Sequence, residues 1–290
     1  MENRKITGKT QVCGVIGDPI EHTLSPVIQN AAFGETGLDY VYLPFRVKKE
    51  ELGKAIQGMR ALNIRGLNVT IPHKVEVMRY LDKIDPLAKE IGAVNTIVNT
   101  EGTLKGYNTD ASGFLMALEM AEFKVEKKKI VILGAGGAAR AISFILTDKG
   151  AYLRIINRTL DAAREISDRM ENTFRKQVEV LELTNNNLKT ALKEADLLVN
   201  TTSVGMLPQP DDTLIPNGLL RPDMMVADII YNPLKTRLLT EAASKGARVM
   251  GGMDMLVCQG AAAFELWTGQ KAPLKKMSAA AYTAMGQHEK

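Results

Sequence analysis

Cysteine and histidine are scarce in this sequence, and their scarcity excludes two classes of protein. The 290 residues include only two cysteines and three histidines. Cys13 and Cys258 are far apart and have apolar neighbours, which excludes a disulfide framework and fits a reducing interior. Because His22, His73 and His288 lack the spacing of paired ligands, we expect no metal site. The G-x-S-x-G pattern of a nucleophilic serine is missing as well.

Long hydrophobic runs and an excess of one charge are also missing. No apolar run approaches the length of a membrane span, and residues 1–10 lack the apolar core of a signal peptide. The 37 basic and 33 acidic residues leave a formal net charge of +4 and are mixed along the chain. The densest basic run, residues 127–129, adjoins a predicted buried strand and fits a solvated strand entry. We therefore expect a cytoplasmic protein that binds neither nucleic acid nor a membrane.

The length of the chain indicates more than one domain. Its 290 residues, 45% of them hydrophobic, can bury a sizeable core and exceed what one compact domain usually needs. Predicted strands and helices alternate through both halves, which is typical of an α/β fold with mostly parallel sheets. Two α/β domains are therefore the starting expectation.

A strand, a glycine turn and a helix follow one another in the middle of the chain. Residues 130–133 are apolar and β-branched, which predicts a strand buried on both faces. Gly134, Gly136 and Ala139 then occupy the small-residue positions of the dinucleotide-binding pattern G-x-G-x-x-G/A, and residues 138–146 predict a helix. In such a turn, a pyrophosphate lies on the amides at the helix start. The alternative is a glycine turn that is only structural.

The next predicted strand, residues 152–156, is followed by three polar residues, one of them an arginine. An acid about twenty residues after the glycines would hold a ribose 2'-hydroxyl, as NAD requires. Asn157, Arg158 and Thr159 are there instead. An arginine with an amide and a hydroxyl suits a 2'-phosphate, and each charge-assisted hydrogen bond is worth ~1.5–3 kcal/mol. The triplet therefore favours NADP over NAD, and the alternative is a solvated arginine at a strand end.

Two hydroxyls precede a helix predicted to begin near residue 27. Ser25 followed by Pro26 is a helix-start signal in which the serine is the N-cap. Thr23 and Ser25 together also provide a seat for a substrate carboxylate at a helix N-terminus. The residues alone leave both interpretations open.

Further polar residues follow the predicted strands of the first half, where open α/β sheets bind ligands. Asn68 and Thr70 share one face of a predicted strand, and Lys74 follows it before a helix predicted to run through Tyr80. Asn95 lies inside the first strand of a predicted hairpin. Asp110 follows the hairpin and is either an N-cap or, with Lys74, a group for the proton transfer that accompanies hydride transfer.

Two polar residues in the second half are candidates for contact with a ligand. Tyr231 leaves the strand predicted at residues 225–230, where a strand exit faces the ligand. Gly251 and Gly252 predict a hinge before a helix, and Gln259 lies in the middle of that helix. A buried glutamine needs hydrogen-bond partners, which are either a neighbouring backbone or a substrate.

Taken in order, these motifs resemble those of the shikimate dehydrogenase family over nearly the whole chain. The motifs are GDPI at 17–20, LSP at 24–26, NVTIPHK at 68–74, GAVNT at 92–96, GYNTD at 106–110, GAGGA at 134–138, NRT at 157–159 and QGA at 259–261. Any one of them arises by chance, whereas the ordered set is highly specific. The resemblance implies reversible, NADPH-dependent reduction of 3-dehydroshikimate to shikimate in aromatic amino-acid biosynthesis. It also implies a cleft between a substrate domain and a Rossmann domain.

The resemblance further implies a role for each matching position. Lys74 and Asp110 match the catalytic pair, in which the lysine usually donates and accepts the proton. Carboxylate binding is implied for Thr23 and Ser25. Contacts with the substrate ring are implied for Thr70, Asn95, Asp110, Tyr231 and Gln259, and more weakly for Asn68. Cofactor contacts are implied for Gly134, Ala135, Gly136, Gly137 and Ala138 at the pyrophosphate, Asn157, Arg158 and Thr159 at the adenosine phosphate, and Ile229 and Gly252 at the nicotinamide.

The chain departs from the family pattern at two positions. Thr23 keeps the hydroxyl of the usual serine, but its extra methyl group affects how ring substituents fit. Many members have a second arginine four residues after the one that matches Arg158, where this chain has Ala162; Arg164 lies on the same helix. We therefore predict NADP preference, weaker than in members with both arginines.

The predicted domains are residues 1–111 for the substrate, residues 112–252 for NADP(H) in a Rossmann-like fold, and residues 253–290 as C-terminal helices that return to the first domain. Three alternatives stay open: a dehydrogenase with relaxed preference that also takes quinate, a folate-type dehydrogenase of similar shape, and a non-catalytic NADP-binding regulator. The intact Lys74 and Asp110 argue against the regulator. A homodimer also stays open.

Overall fold

The protein is described by a computed structural model that covers residues 6–286; residues 1–5 and 287–290, His288 among them, lie outside the described part. The chain divides into two units. The first contains the residues up to Thr109 and those from Val257 onwards, and the second is Asp110–Leu256. Each unit has its own six-stranded sheet.

The sheet of the first unit is mostly parallel, as predicted. Its strands are β1 (Gln11–Gly17), β2 (Tyr40–Arg46), β3 (Gly66–Val69), β4 (Lys83–Ile84), β5 (Thr96–Thr100) and β6 (Thr103–Tyr107), in the order β2-β1-β3-β5-β6-β4. Strand β1 is parallel to β2 and β3, and β4 is parallel to β6. Only β5 runs antiparallel to its neighbours, because a tight hairpin joins it to β6.

Helices α1 (Ser25–Glu35), α2 (Leu52–Ala61) and α3 (Pro86–Ile91) complete the first half of this unit. Leu52, Ile56 and Met59 recur at spacings of four and three residues, so that they form one buried face of α2. This face joins a core that includes Leu67 on β3. The helix predicted to run through Tyr80 is a 3-10 helix at Glu76–Tyr80, a form common in short connectors.

The C-terminal helices return to the first unit, as predicted. Helix α9 (Gly252–Thr268) ends there, and α10 (Leu274–Ala284) packs against α1. Trp267 of α9 is fully buried, and its Nε1–H donates to the Ile97 carbonyl at 3.0 Å. Gly66 makes room for this indole, because a Cβ there would lie 2.1 Å from Nε1.

The second unit has the doubly wound Rossmann-like architecture. Its elements are α4 (Thr109–Met120), β7 (Lys129–Leu133), α5 (Gly137–Asp148), β8 (Tyr152–Asn157), α6 (Leu160–Phe174), β9 (Glu179–Glu182), α7 (Asn185–Leu192), β10 (Leu197–Asn200), β11 (Met225–Asp228), α8 (Arg237–Ser244) and β12 (Arg248–Met250). All paired strands are parallel, in the order β12-β11-β10-β7-β8-β9. The strand order reverses between β7 and β10, and ligands bind at the carboxyl ends of the strands at such a point.

The structure also bears on membrane spans, metal clusters and the two cysteines. Within residues 6–286 no helix is both long and apolar enough to cross a bilayer. The same residues contain no cluster of three or more His, Cys, Asp or Glu side chains suited to a metal ion. Cys13 and Cys258 are both buried, and burial raises the pKa of the Cys13 thiol.

Candidate active site

The loop before α1 presents two adjacent hydroxyls. Helix α1 begins at Ser25, Leu24 occupies the cap position, and no side chain caps the helix. Ser25 is therefore not the N-cap, and that interpretation is wrong. Thr23 Oγ1 accepts from the Ser25 N–H at 3.3 Å and lies 3.3 Å from Ser25 Oγ. Both side chains are half-buried at the positive end of the helix dipole, where an anion is favoured.

The side chain of Asn68 on β3 is held by a buried hydrogen-bond network. Its Oδ1 accepts from Tyr42 Oη at 2.7 Å, and its Nδ2 donates to Thr96 Oγ1 at 3.0 Å and to the Asn95 carbonyl at 3.3 Å. Tyr42 is 1% exposed, and burial raises the pKa of its phenol well above the usual value. The phenol therefore stays protonated and donates. These side-chain hydrogen bonds connect Tyr42 on β2, Asn68 on β3 and Thr96 on β5.

Asn95 connects the start of β5 to the start of α4. Its Oδ1 accepts from the Thr109 N–H at 2.7 Å, and its Nδ2 donates to Thr109 Oγ1 at 3.0 Å. Helix α4 begins at Thr109, so that Asp110 lies in its first turn and is not the N-cap; that interpretation is wrong. Asp110 is 4% exposed, and a carboxylate in the first turn is favoured by the helix dipole. Strand β5 itself begins at Thr96, one residue after Asn95.

The loop that carries Lys74 is anchored through its main chain. The His73 N–H donates to the Thr70 carbonyl at 2.9 Å, and the Lys74 carbonyl accepts from the Val94 N–H at 2.8 Å. His73 is fully buried, and its Nε2 lies 2.7 Å from the Val47 carbonyl oxygen. The structure therefore brings Thr70 and Lys74 to the same end of the first sheet as Asn95, and the Lys74 side chain is half-buried there.

Gln259 lies in the part of α9 that belongs to the first unit. Its side chain is half-buried. The register of α9 against α1 is set at the next residue, since Gln29 Nε2 donates to the Gly260 carbonyl at 2.8 Å. Helix α1 begins with Ser25, so that this hydrogen bond connects the helix of Gln259 to the helix of Ser25.

The glycine turn after β7 has the form that a dinucleotide requires. Gly134 has a φ of +102°, and a Cβ there would lie 2.7 Å from Thr201 Oγ1. Gly136 is the exposed cap residue of α5, has open space around it, and makes no side-chain cap. Ala135, Gly137 and Ala138 are half-buried beside it. The amides of the first turn of α5 therefore have room for a pyrophosphate.

The triplet of residues 157–159 begins at the last residue of β8, and its second and third residues are exposed. Asn157 Nδ2 donates to the Thr159 carbonyl at 2.8 Å, which holds the triplet in a tight turn. Arg158 is exposed and makes no ion pair with any residue that the structure describes. Thr159 is the N-cap residue of α6, but its side chain makes no cap hydrogen bond. Arg164 instead pairs with Asp161 at 3.2 Å. Arg158 is therefore the arginine available to a 2'-phosphate.

Ile229 and Gly252, which were predicted to lie at the nicotinamide, are in contact. Gly252 is the first residue of α9, and the hinge predicted at Gly251 and Gly252 stays a prediction. Its N–H donates to the Ile230 carbonyl at 3.2 Å, and a Cβ at Gly252 would lie 2.2 Å from the Ile229 carbonyl oxygen. Only glycine fits this close approach. Tyr231, two residues after Ile229, is half-buried.

The structure also shows partners that the sequence did not indicate. Tyr42, Thr96 and Thr109 hold Asn68 and Asn95, and Asp228 is a buried carboxylate at the end of β11. In the sequence, Tyr42 is one β-forming residue in a strand and Asp228 is one acid at a strand end. Neither carries a local signal of its partners.

The chain matches three family profiles. They describe the substrate-binding domain of shikimate dehydrogenase at residues 15–97, shikimate/quinate 5-dehydrogenase at residues 116–207, and the C-terminal domain of shikimate 5'-dehydrogenase at residues 252–282. Together the matches extend over most of both units.

Individual relatives cover almost the whole chain. Shikimate dehydrogenase (NADP(+)) of Dehalococcoides mccartyi strain CBDB1 is 49% identical over 277 residues, which are 96% of this chain and 97% of that protein. A crystal structure of shikimate dehydrogenase in complex with NADP+ has a TM-score of 0.92 and 43% identity, with 98% of both chains covered. Shikimate 5-dehydrogenase from Listeria monocytogenes, in complex with shikimate and NAD, has a TM-score of 0.87 and 40% identity, covering 94% of this chain and 96% of that one.

Proposed function

The chain belongs to the shikimate dehydrogenase family, and on this basis we propose that it reduces 3-dehydroshikimate to shikimate reversibly with NADPH, using Lys74 and Asp110 as the catalytic pair. The reaction is a step of the shikimate pathway, which leads to chorismate and the aromatic amino acids. The observation that carries the proposal is the hydrogen bond from the Val94 N–H to the Lys74 carbonyl at 2.8 Å. It joins the NVTIPHK motif to the GAVNT motif at one end of the first sheet.

The chain's own residues supply the proton transfer. Bound NADPH supplies the hydride to the substrate ketone. The ammonium group of Lys74 donates a proton to the developing alkoxide, and in the reverse direction its amine accepts that proton. Asp110 lies in the first turn of α4, at the positive end of the helix dipole, and accepts a hydrogen bond from a ring hydroxyl.

The substrate carboxylate is assigned to the start of α1. Thr23 and Ser25 offer two half-buried hydroxyls there, with the positive end of the helix dipole behind them. Thr70, Asn95, Tyr231 and Gln259 are assigned to the ring hydroxyls. Asn68 is assigned to the ring as the weaker contact, because its amide already hydrogen-bonds with Tyr42, Thr96 and the Asn95 carbonyl.

The cofactor is assigned to the second unit. The turn from Gly134 to Ala138 holds the pyrophosphate on the amides of the first turn of α5. Asn157, Arg158 and Thr159 hold the 2'-phosphate, and the exposure of Arg158 supports this role. Ile229 and Gly252 lie at the nicotinamide, where the close contact between them makes a compact surface.

One assay tests the reaction and its competitors. The loss of NADPH absorbance is measured with 3-dehydroshikimate, and the reverse reaction is measured with shikimate or quinate and with NADP+ or NAD+. We expect the highest kcat/KM with shikimate and NADP+. A higher kcat/KM with quinate identifies a quinate-preferring enzyme, and binding of NADPH without any turnover identifies a regulator.

The assembly and location of the enzyme stay predictions. Size-exclusion chromatography with light scattering, repeated over a range of concentrations, tests the homodimer; the mass of one chain at every concentration contradicts it. Fractionation of the source cells tests the cytoplasmic location.

A further inference from the structure

A buried carboxylate lies at the end of β11, and no cationic side chain of residues 6–286 pairs with it. Asp228 is 1% exposed, and none of its hydrogen-bond partners is charged. Its Oδ1 accepts from Asn200 Nδ2 and from the Ile230 N–H, each at 3.1 Å, and its Oδ2 accepts from Thr236 Oγ1 at 2.7 Å. Burial of a carboxylate is costly even with such donors, because all three of these donors are neutral and form no ion pair with it. An acid at this position therefore needs an explanation beyond stability.

The first partner connects Asp228 to the glycine turn. Asn200 ends β10, and its Oδ1 accepts from both the N–H and the hydroxyl of Thr202, at 3.1 and 2.7 Å. Thr201 Oγ1 donates to the Leu133 carbonyl at 2.6 Å and is the atom that a Cβ on Gly134 would meet. The loop after β10 is thus packed against the pyrophosphate turn at one side and held by Asn200 at the other.

The other partners connect Asp228 to the residues assigned to the nicotinamide. The Ile230 N–H donates to the carboxylate, and Ile230 directly follows Ile229, whose carbonyl contacts Gly252. Thr236 is fully buried, and its Oγ1 also accepts from the Leu239 N–H at 3.3 Å as the N-cap of α8. The Asp228 carboxylate therefore hydrogen-bonds with both ends of the loop that follows β11, at Ile230 and at Thr236.

We propose that Asp228 is a positioning residue for hydride transfer, which sets the loop of Ile229 relative to the glycine turn and thereby orients the nicotinamide. The inference rests on the proposed function. An ionised carboxylate is suited to the task because it only accepts hydrogen bonds, and the amide of Asn200, the N–H of Ile230 and the hydroxyl of Thr236 are all donors. An asparagine of the same size presents an NH2 group to one of these donors, which loosens the loop.

The test separates the two ends of the cofactor. The kcat of Asp228→Asn is compared with that of the wild type. Calorimetry then gives the affinity of each protein for NADP+ and for adenosine 2',5'-bisphosphate, which carries the 2'-phosphate but no nicotinamide. We expect kcat to fall by ~10–100-fold, since small displacements of reacting groups have effects of this order. We expect the affinity for the bisphosphate to stay within about twofold, whereas the additional affinity of NADP+ decreases.

A second set of variants controls for folding. Thr236→Val removes the hydroxyl from Asp228 and the cap of α8, whereas Thr184→Val removes only the comparable cap of α7, where Thr184 Oγ1 accepts from the Asn187 N–H at 3.2 Å. We expect Thr236→Val to lower kcat, Thr236→Ser to restore it, and Thr184→Val to leave it unchanged. These three variants also decide the question if Asp228→Asn does not fold.

The outcomes distinguish the inference from the function on which it rests. A wild type that binds NADP+ but does not turn over 3-dehydroshikimate contradicts the proposed function, and the calorimetric comparison still tests the position of the nicotinamide. Unchanged kcat and NADP+ affinity in Asp228→Asn overturn the inference. Equal losses of affinity for NADP+ and for the bisphosphate overturn it too, because they indicate damage to the whole unit.

Discussion

Asn95 hydrogen-bonds with Thr109 through both ends of its amide: its Oδ1 accepts from the Thr109 N–H at 2.7 Å and from the Thr109 hydroxyl at 3.2 Å, and its Nδ2 donates to the Thr109 hydroxyl at 3.0 Å. Both side chains are buried. The pair joins the end of the GAVNT motif to the first residue of α4, and Asp110 is the next residue. A side chain proposed to contact the substrate ring thus also binds the first N–H of the helix that carries Asp110, the proposed catalytic carboxylate.

The first prediction concerns this pair. Thr109→Val keeps the main-chain hydrogen bond but leaves the buried Nδ2 of Asn95 without the Thr109 hydroxyl. We expect kcat/KM for 3-dehydroshikimate to fall by roughly tenfold, since losing the partner of a buried polar group costs about 1–3 kcal/mol. Thr109→Ser is the matched control and keeps the wild-type value. Equal kinetics in Thr109→Val and the wild type would show that the pair does not position the site.

The second prediction concerns Lys74, the proposed proton donor. Lys74→Ala lowers kcat by ~10²–10⁴ with a smaller effect on KM, which is the range for the loss of a general acid or base. Lys49→Ala, at an exposed lysine of the same unit, is the control and leaves both constants unchanged. Steady-state kinetics with 3-dehydroshikimate measure the effect. A Lys74→Ala enzyme with near wild-type kcat removes Lys74 from the chemistry.

The third prediction concerns cofactor preference. Arg158→Gln raises KM for NADPH by ~10–100-fold, because it removes charge-assisted hydrogen bonds to the 2'-phosphate, each worth ~1.5–3 kcal/mol. KM for NADH, which has no such phosphate, stays the same. Arg164→Gln is the control, since that guanidinium pairs with Asp161. If Arg164→Gln has the larger effect, the phosphate clamp has been assigned to the wrong arginine.

The fourth prediction concerns the network below Asn68. Tyr42→Phe deprives Asn68 Oδ1 of its phenol donor at 2.7 Å, so that we expect the free energy of unfolding to fall by about 1–3 kcal/mol. KM for 3-dehydroshikimate rises while KM for NADPH does not, because the network belongs to the first unit. Tyr152→Phe, at a tyrosine that is 64% exposed, is the control for both measurements. Urea denaturation showing equal stability in the two variants is the contrary result.

The fifth prediction concerns pH and stability. Burial raises the pKa of Asp228 from 3.8 to about 6, so that between these values the native state keeps a proton that the unfolded chain has lost. The free energy of unfolding therefore falls as pH rises through this window, by roughly 3 kcal/mol, and this contribution is constant above it. Asp228→Asn lacks that fall. Denaturation at several pH values should show the variant gaining stability relative to the wild type up to pH ~6, and parallel curves would refute the assignment.

Much of the fold was predictable because its signals are local. The apolar run before Gly134, the small residues at Gly136 and Ala139, and the alternation of strands and helices predicted the Rossmann-like unit and the mostly parallel first sheet. The site motifs were equally readable, since each is a short run of residues in a fixed order. Their similarity to known dehydrogenases confirmed the family.

The errors concern helix starts, where the outcome depends on a competition between hydrogen-bond partners. Ser25 and Asp110 are both good N-cap residues, but each lies inside its helix, which begins earlier than the pattern predicted. At α4 the side chain of Asn95 binds the Thr109 N–H, and Asn95 is 14 residues away. The close approach of Gly252 to the Ile229 carbonyl at the start of α9 likewise had no signal in the sequence. Such partners are distant in sequence and have no local pattern.

Gly134, Lys74 and Arg158 could be named as candidates from the sequence, because each is a recognisable residue type within a short motif of fixed order. The roles of Tyr42 and Asp228 follow from folding. A phenol or a carboxylate in water hydrogen-bonds with solvent, and it acquires specific partners only when burial removes that water. Which buried donors meet which acceptors depends on strand order and register, and those are set by the packing of the whole unit.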